Sequence, residues 1–254
     1  MIFEKDQHCL DEHLSLQHII DWQALQLAFK KQDTLGRINV AKIHHKLWPT
    51  MVALENRRAG ISGIRPRCKN EKEIVSHAFQ CPHRSSTSAF REAIRWFQVK
   101  LRKLQTSKPI ITVFTEFLLA FHHNRDPVCP VLQFGDPKKY DTLRRVFINQ
   151  QKLSQLAFHI GYISYKWSMV QSLYDTVTTK KELLFNVSWS SQIINAIWDF
   201  STYIWTSMRC LIVHSKNPEN ASSLNDPELP ASMHLNISSN IIRASSITLA
   251  RWLH

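Results

Sequence analysis

The scarcity of glycine is the feature that most constrains the fold of this 254-residue chain. Its five glycines are few for that length, against an average usage of about 7%. Glycine supplies the positive backbone angles of tight turns and β-bulges, so hairpin-rich sheets are disfavoured. Leucine, isoleucine, tryptophan and phenylalanine instead recur at steps of three and four residues, the period of one helix face. We therefore predict an all-α fold, an irregular multi-helix bundle in two halves with a short knuckle-like turn between helices.

Proline and glycine mark the predicted boundary between the two halves. Three prolines and one glycine fall within residues 124–137, which favours a linker there. The predicted segments are an N-terminal helical half (1–123) that contains the knuckle (65–83) and a basic helix (84–105), the linker (124–137), a tryptophan-rich helical half (138–214), and a Ser, Asn and Pro-rich tail (215–254).

Apolar spacing and capping residues predict the individual helices. Asp136 can cap a helix with Pro137 at its first position, Gly161 can end that helix in a left-handed turn, and Ser164 can cap the next. The tryptophans of the second half are spaced as core residues rather than as base-stacking platforms. The predicted helices cover residues 12–31, 37–48, 71–81, 84–105, 110–123, 137–160, 165–174, 189–214 and 241–253.

Positive charge is concentrated in one part of the chain. The net charge is +12 and the isoelectric point is near 9.7. Residues 51–108 hold 13 Lys and Arg against 4 Asp and Glu, so they carry nine of the twelve excess charges. A concentrated field of this sign attracts polyanions, with nucleic acid as the first expectation.

Cys68, His77 and Cys81 are spaced like ligands of a zinc knuckle. If residues 71–81 are helical, His77 and Cys81 stand one turn apart on one face, with Cys68 approaching from the preceding turn. The fourth ligand would fall at position 65, where this chain has Arg65, and a guanidinium offers no lone pair to a metal. Zinc binding is therefore expected to be weakened or lost.

Two other outcomes remain open for the knuckle. His83, Cys129 or Cys210 could complete the shell in three dimensions. Alternatively, Cys68 and Cys81 are small buried thiols and His77 is a hydrogen-bonded core histidine, which is the interpretation that Arg65 favours.

The predicted basic helix has an apolar face and an arginine face. Phe90, Ile94, Phe97, Leu101 and Leu104 step by four, three, four and three. The other face holds Arg84, Arg91, Arg95 and Arg102, which suits contact with phosphates. Within the knuckle, Arg65, Arg67 and Lys69 are further candidates for phosphate contact. The alternative is a solvated surface with salt bridges to acidic residues such as Glu92.

The chain shows no segment that predicts secretion or membrane insertion. Its first residues lack an apolar core of signal-peptide length, and no apolar run approaches 18 residues. Five scattered cysteines agree with a reducing compartment. These features predict a nuclear or cytoplasmic protein with no membrane partner.

Motifs for catalysis are missing from the sequence. It contains no Asp-Asp pair for two-metal polymerase chemistry, no Gly-x-Ser-x-Gly elbow, no phosphate-binding loop and no His-Glu-x-x-His. We therefore predict that this chain alone is not an enzyme.

Several landmarks share their order with a known class of polyprotein. Lys42 and Leu47-Trp48-Pro49-Thr50 precede the knuckle, and Gln150, Gly161-Tyr162-Ile163-Ser164, Trp167 and Gln171 follow it, before Trp189, Trp198, Trp205, Arg209 and His214. Over roughly residues 37–214, this order resembles the C-terminal zinc-knuckle region of reverse-transcriptase polyproteins from retrotransposons that lack long terminal repeats.

The resemblance implies a non-catalytic tail that contacts RNA or DNA without sequence preference, joined to an upstream reverse-transcriptase portion. The chain departs from the family at Arg65, where the family has cysteine, and at Tyr162, where it has arginine, as a decayed relic would. A hypothesis of a different class is a helical protein-interaction or scaffold domain that uses the tryptophan-rich half and has no nucleic-acid role.

Overall fold

Helices make up the regular structure of the computed structural model, which confirms the predicted all-α class. The described residues are 18–45, 47–48, 50–57, 60, 62–64, 68, 72–130, 136–174 and 182–214, and they contain ten helices and no strand. In chain order the helices are α1 (Trp22–Lys31), α2 (Thr34–His44), α3 (Met51–Glu55), α4 (Val75–Gln80), α5 (Arg84–Lys103), α6 (Lys108–His122), α7 (Pro137–Lys152), α8 (Gln155–His159), α9 (Lys166–Tyr174) and α10 (Glu182–His214).

The chain divides into two units, Met1–Ile212 and Val213–His254. The features below belong to the first unit. The predicted tail and its helix at 241–253 lie outside the described residues, as do residues 12–17 of the first predicted helix.

Side-chain caps set the starts of several helices. At the start of α1 the Asp21 carboxylate accepts from the Ala24 N–H. At the start of α2 the Asp33 carboxylate accepts from the Gly36 N–H. Asp136 caps α7 by accepting from Lys138 and Lys139, as predicted. These bonds satisfy backbone N–H groups that the first turn of a helix leaves without partners.

Helix α6 lies at the centre of the core. Most of its residues are buried, and it packs against α4, α5 and α8. The rings of Phe114 and Phe117 meet Phe158, Phe147 and Trp167 at centroid distances of 4.9 to 5.4 Å. One hydrophobic cluster runs from α1 to α10, so described residues of both predicted halves share a core.

The tryptophans of the second half are core residues, as predicted. Trp167, Trp189, Trp198 and Trp205 are each exposed by 7% or less. Three of their indole N–H groups have buried or half-buried acceptors, because a buried indole needs a partner for its one polar atom.

The prediction of one helix over 137–160 is wrong. Helix α7 ends at Lys152, Leu153 is extended, and the Ser154 hydroxyl accepts from Ala157 to start α8. Leu153 is buried against Ile19, a partner that is distant in sequence. This packing stabilises a break that the apolar spacing alone does not reveal.

The helix predicted over 71–81 is shorter than expected, and a further short helix was not predicted. Ile64 bridges Lys72, and the Glu73 N–H donates to the Gly63 carbonyl at 2.9 Å, which keeps the backbone extended until α4 begins at Val75. Helix α3 follows Thr50, whose hydroxyl accepts from Ala53.

None of the described helices combines the length and apolar character that a membrane span requires.

Candidate metal centre and arginine face

The chain brings Cys68, His77 and Cys81 together through a short loop and one turn of helix. The bridge between Ile64 and Lys72 closes the loop that carries Cys68. His77 lies within α4, and Cys81 is the first residue after it. The predicted trio is therefore assembled even though the helix is only six residues long.

Helix α4 holds two of these ligands in place because its other side is anchored in the core. Ala78 and Phe79 are fully or almost fully buried. The Phe79 carbonyl accepts a hydrogen bond from the His122 ring on α6 at 2.5 Å. Packing and this hydrogen bond fix α4 against the central helix.

The geometry of the trio suits a soft divalent metal. The Cys68 Sγ, His77 Nε2 and Cys81 Sγ atoms all lie within 4.8 Å of one another, and Cys68 Sγ is 3.3 Å from His77 Nε2. In a tetrahedral site with ordinary Zn–S and Zn–N lengths, sulfur and nitrogen ligands stand about 3.5 Å apart. His77 and Cys81 are exposed by 6% and 0%. Without a metal, the same distance is a thiol–imidazole hydrogen bond.

The described residues provide three metal-binding side chains at this position and not four. His83 is occupied as the cap of α5, because its Nδ1 accepts from the Ser85 N–H. Cys129 is not part of the trio. Burial raises the pKa of its thiol and outweighs the opposite effect of a hydrogen bond to Tyr140. Arg65 and the side chain of Cys210 lie outside the described residues.

Helix α5 begins directly after the trio and presents the four predicted arginines to solvent. Arg84, Arg91, Arg95 and Arg102 are all exposed. At about 100° per residue they fall within an arc of roughly 40° around the helix, so they form one face, here called the arginine face. The opposite side buries Phe90, Ala93, Ile94, Phe97 and Leu101.

Within the described part of the chain, no carboxylate forms a salt bridge with the arginine face. Nearby acids have other partners. Glu92 is hydrogen-bonded to the Tyr203 hydroxyl, and burial together with this carboxylate raises the pKa of Tyr203. Asp199 on α10 pairs with Lys100. Among the described residues the salt bridges to Glu92 are therefore not formed, whereas the alternative of a solvated surface stays open.

Three of the predicted phosphate-contact residues lie outside the described residues. These are Arg65, Arg67 and Lys69, which precede or flank Cys68 in the sequence. Their contribution stays a prediction from charge and position.

Two features of the structure, the hydrogen bonds of Gln150 and a groove, were not predicted from the sequence. Gln150 is 1% exposed. Its amide N–H donates to the Tyr162 carbonyl, and its amide oxygen accepts from the Ser164 N–H and the Trp167 indole N–H. These hydrogen bonds join α7 to the start of α9. A groove also opens between α5 and α6. The sequence feature that could have indicated this groove is the presence of three polar residues, Thr112, Thr115 and Glu116, on an otherwise apolar helix.

Comparisons of the chain with known protein families, with curated proteins and with solved structures give no match.

Proposed function

We propose that this protein is a non-catalytic domain that binds the phosphate backbone of nucleic acid through the arginine face. The observation that supports it most strongly is the arrangement of Arg84, Arg91, Arg95 and Arg102, exposed on one side of α5 with no described carboxylate as an ion-pair partner. Unpaired guanidinium groups are free to exchange counterions for phosphates.

The dimensions of the face suit an extended polyanion. Arg84 and Arg102 are 18 positions apart on one helix, which is about 27 Å along its axis at 1.5 Å per residue. Phosphate contacts fix position without reading sequence, so we expect binding that is weak, tolerant of sequence and steeply dependent on salt.

We further propose that the chain is the C-terminal portion of a retrotransposon polyprotein, with catalysis supplied by an upstream reverse-transcriptase portion. The support is the resemblance in the order of the knuckle, Gln150, Trp167 and the later tryptophans. Arg65 departs from that order, and a decayed copy of such a region is consistent with the departure.

For the knuckle, we propose that Cys68, His77 and Cys81 bind one zinc ion more weakly than a four-ligand knuckle does. The support is the mutual distance of their ligand atoms. Elemental analysis of protein purified without chelator should find about one zinc per chain, and Arg65→Cys should tighten binding because it adds a fourth thiolate. Zinc that binds equally tightly with and without Arg65→Cys would contradict a three-ligand site.

Fluorescence polarisation with labelled RNA and duplex DNA tests the main proposal. The variant with all four arginines of the face changed to glutamine should lose binding at about 50 mM salt, since it removes four phosphate contacts. The control changes four exposed cations elsewhere, Lys30, Lys138, Arg144 and Lys152, to glutamine and therefore has the same net charge.

The control should retain most of the affinity. Equal loss in both variants would show that net charge alone governs binding and would overturn the role of the arginine face. No binding by the unaltered protein at low salt would overturn the proposed function itself and leave the helical scaffold as the remaining hypothesis.

A further inference from the structure

Helix α5 exposes an aromatic ring, Trp96, in addition to its arginines. Trp96 is 42% exposed, whereas the other described tryptophans, apart from Trp22, are exposed by 7% or less. Single exposed apolar residues are common on protein surfaces. What this ring can bind therefore depends on the residues that surround it.

Val99 joins Trp96 to the arginine face. Val99 is 46% exposed and lies three residues after Trp96, so the two side chains are neighbours on the helix surface. Arg95 lies four residues before Val99, and Arg102 and Lys103 lie three and four residues after it. All three of these cations are exposed. Trp96 and Val99, here called the apolar patch, are thus bordered by positive charge.

Lys100 restrains the orientation of the Trp96 ring. Its Nζ lies 5.0 Å from the ring centroid, and the same ammonium is paired with the Asp199 carboxylate on α10. Because Lys100 is tied to a second helix, its cation–π contact limits how far the ring can turn. The exposed part of Trp96 is therefore presented to solvent by a ring that is already oriented.

The charge around the apolar patch favours an anionic partner. Arg95, Arg102 and Lys103 form no salt bridge with any residue that the structure describes. Glu92 is the acidic residue of α5, and its carboxylate is hydrogen-bonded to the Tyr203 hydroxyl. Three cations against one carboxylate leave a positive field at the patch, which attracts phosphates.

We infer that the apolar patch stacks a base of single-stranded nucleic acid while Arg95 and Arg102 bind the phosphates beside it. This rests on the proposed nucleic-acid function and deepens it by selecting unpaired strands. An aromatic ring can stack on any base, because every base has a π-face. A duplex keeps its bases stacked and paired, so it meets the arginine face through phosphates but offers no base to Trp96.

A membrane surface suits α5 less well than a nucleic-acid strand does. Helices that lie in a membrane interface bury a broad apolar face among the lipids. The apolar side of α5 is instead buried in the protein core, where the helix packs against α6. Outside the core, the large apolar side chains that α5 exposes are Trp96 and Val99.

Polarisation titrations with a labelled thymidine DNA strand of about 12 nucleotides and a DNA duplex of the same length test the inference. Trp96→Leu keeps an apolar side chain but removes the ring. It should weaken single-strand binding about tenfold and leave duplex binding unchanged. Trp96→Phe keeps a ring and should retain most of the single-strand affinity. Trp22→Leu, at a position on α1 that is 45% exposed, is the matched control and should change neither affinity.

Three results would overturn the inference. If Trp96→Leu leaves the ratio of single-strand to duplex affinity unchanged, the ring does not stack a base, although the arginine face stays intact. If Trp96→Leu weakens binding to phosphatidylserine vesicles and not to the single strand, the apolar patch binds a membrane surface instead. If neither DNA binds the unaltered protein, the inference fails together with the proposed function.

Discussion

His159 makes the stability of this protein sensitive to acid. The residue is 1% exposed, and its ring stands 4.4 Å from Phe121, 4.8 Å from Phe79 and 6.1 Å from Phe200. Neither ring nitrogen has a hydrogen-bond partner among the residues that the structure describes. Burial among these rings lowers the pKa of His159 from 6.5 to about 3, because the apolar surroundings disfavour the charged imidazolium.

Proton linkage gives the direction in which the stability changes with pH. The unfolded chain binds a proton at His159 below pH 6.5, whereas the folded protein does so only near pH 3. The stabilisation is therefore present above pH 6.5 and is lost progressively as the pH falls toward 3. Each pH unit in this window lowers the free energy of unfolding by about 1.4 kcal/mol. On the order of 2 kcal/mol of stability is therefore lost by about pH 5.

The perturbation that tests this is His159→Leu, which removes the titrating group and keeps the site apolar. We expect the loss of unfolding free energy between about pH 7.5 and about pH 5 to be about 2 kcal/mol smaller in the variant. His44, whose pKa burial lowers to about 4, titrates in both proteins and cancels in the comparison.

Urea denaturation followed by tryptophan fluorescence at the two pH values gives both free energies. Phe158→Leu is the control, since it removes a neighbouring buried ring without a titratable group and should lower stability equally at both pH values. If His159→Leu keeps the full pH dependence of the unaltered protein, then His159 is not buried as a neutral imidazole and the reasoning is refuted.

Three further substitutions test separate contacts. Gln150→Leu removes the partner of the Tyr162 carbonyl and of two N–H donors, so urea denaturation should show that the free energy of unfolding falls by about 3–6 kcal/mol. A fall of less than about 1 kcal/mol would contradict the importance of these three hydrogen bonds. Gly161→Ala should lower the free energy of unfolding by more than about 2 kcal/mol in the same assay, because the φ of Gly161 is +90° and a Cβ there would stand 2.6 Å from the Trp198 indole nitrogen. Gly60→Ala is the control, since Gly60 has a φ of +81° but open space around it, so this variant carries only the backbone strain. Equal costs would contradict the packing at Gly161. Cys81→Ser should abolish the rise in melting temperature that added zinc produces, and a rise of unchanged size would exclude Cys81 as a ligand.

The parts of the fold that depend on local chemistry could be predicted from the sequence. Asp136 caps α7 where expected, the Ser164 hydroxyl accepts from the Lys166 N–H at the start of α9, and Gly161 has the positive φ expected after the end of a helix. The arginine face follows from helical period alone. Cys68, His77 and Cys81 meet because they lie within one short loop and helix, so their spacing carries most of the geometry.

The parts that depend on distant contacts could not be predicted. Leu153 interrupts a predicted helix because Ile19 packs on it, and no local signal marks that pair. His159 resembles any other histidine in the sequence, and its burial depends on rings that α4, α6 and α10 bring to it from distant parts of the chain. The groove between α5 and α6 likewise depends on how two helices pack.

The dependence of nucleic-acid affinity on salt tests the central claim most directly. For duplex DNA between about 50 and about 200 mM salt, we expect the logarithm of the association constant to fall linearly with the logarithm of salt concentration. Changing Arg84, Arg91, Arg95 and Arg102 to glutamine should make that slope shallower by about 3–4, which corresponds to about 0.9 per phosphate contact removed. A slope that is the same in both proteins would contradict phosphate binding by the arginine face.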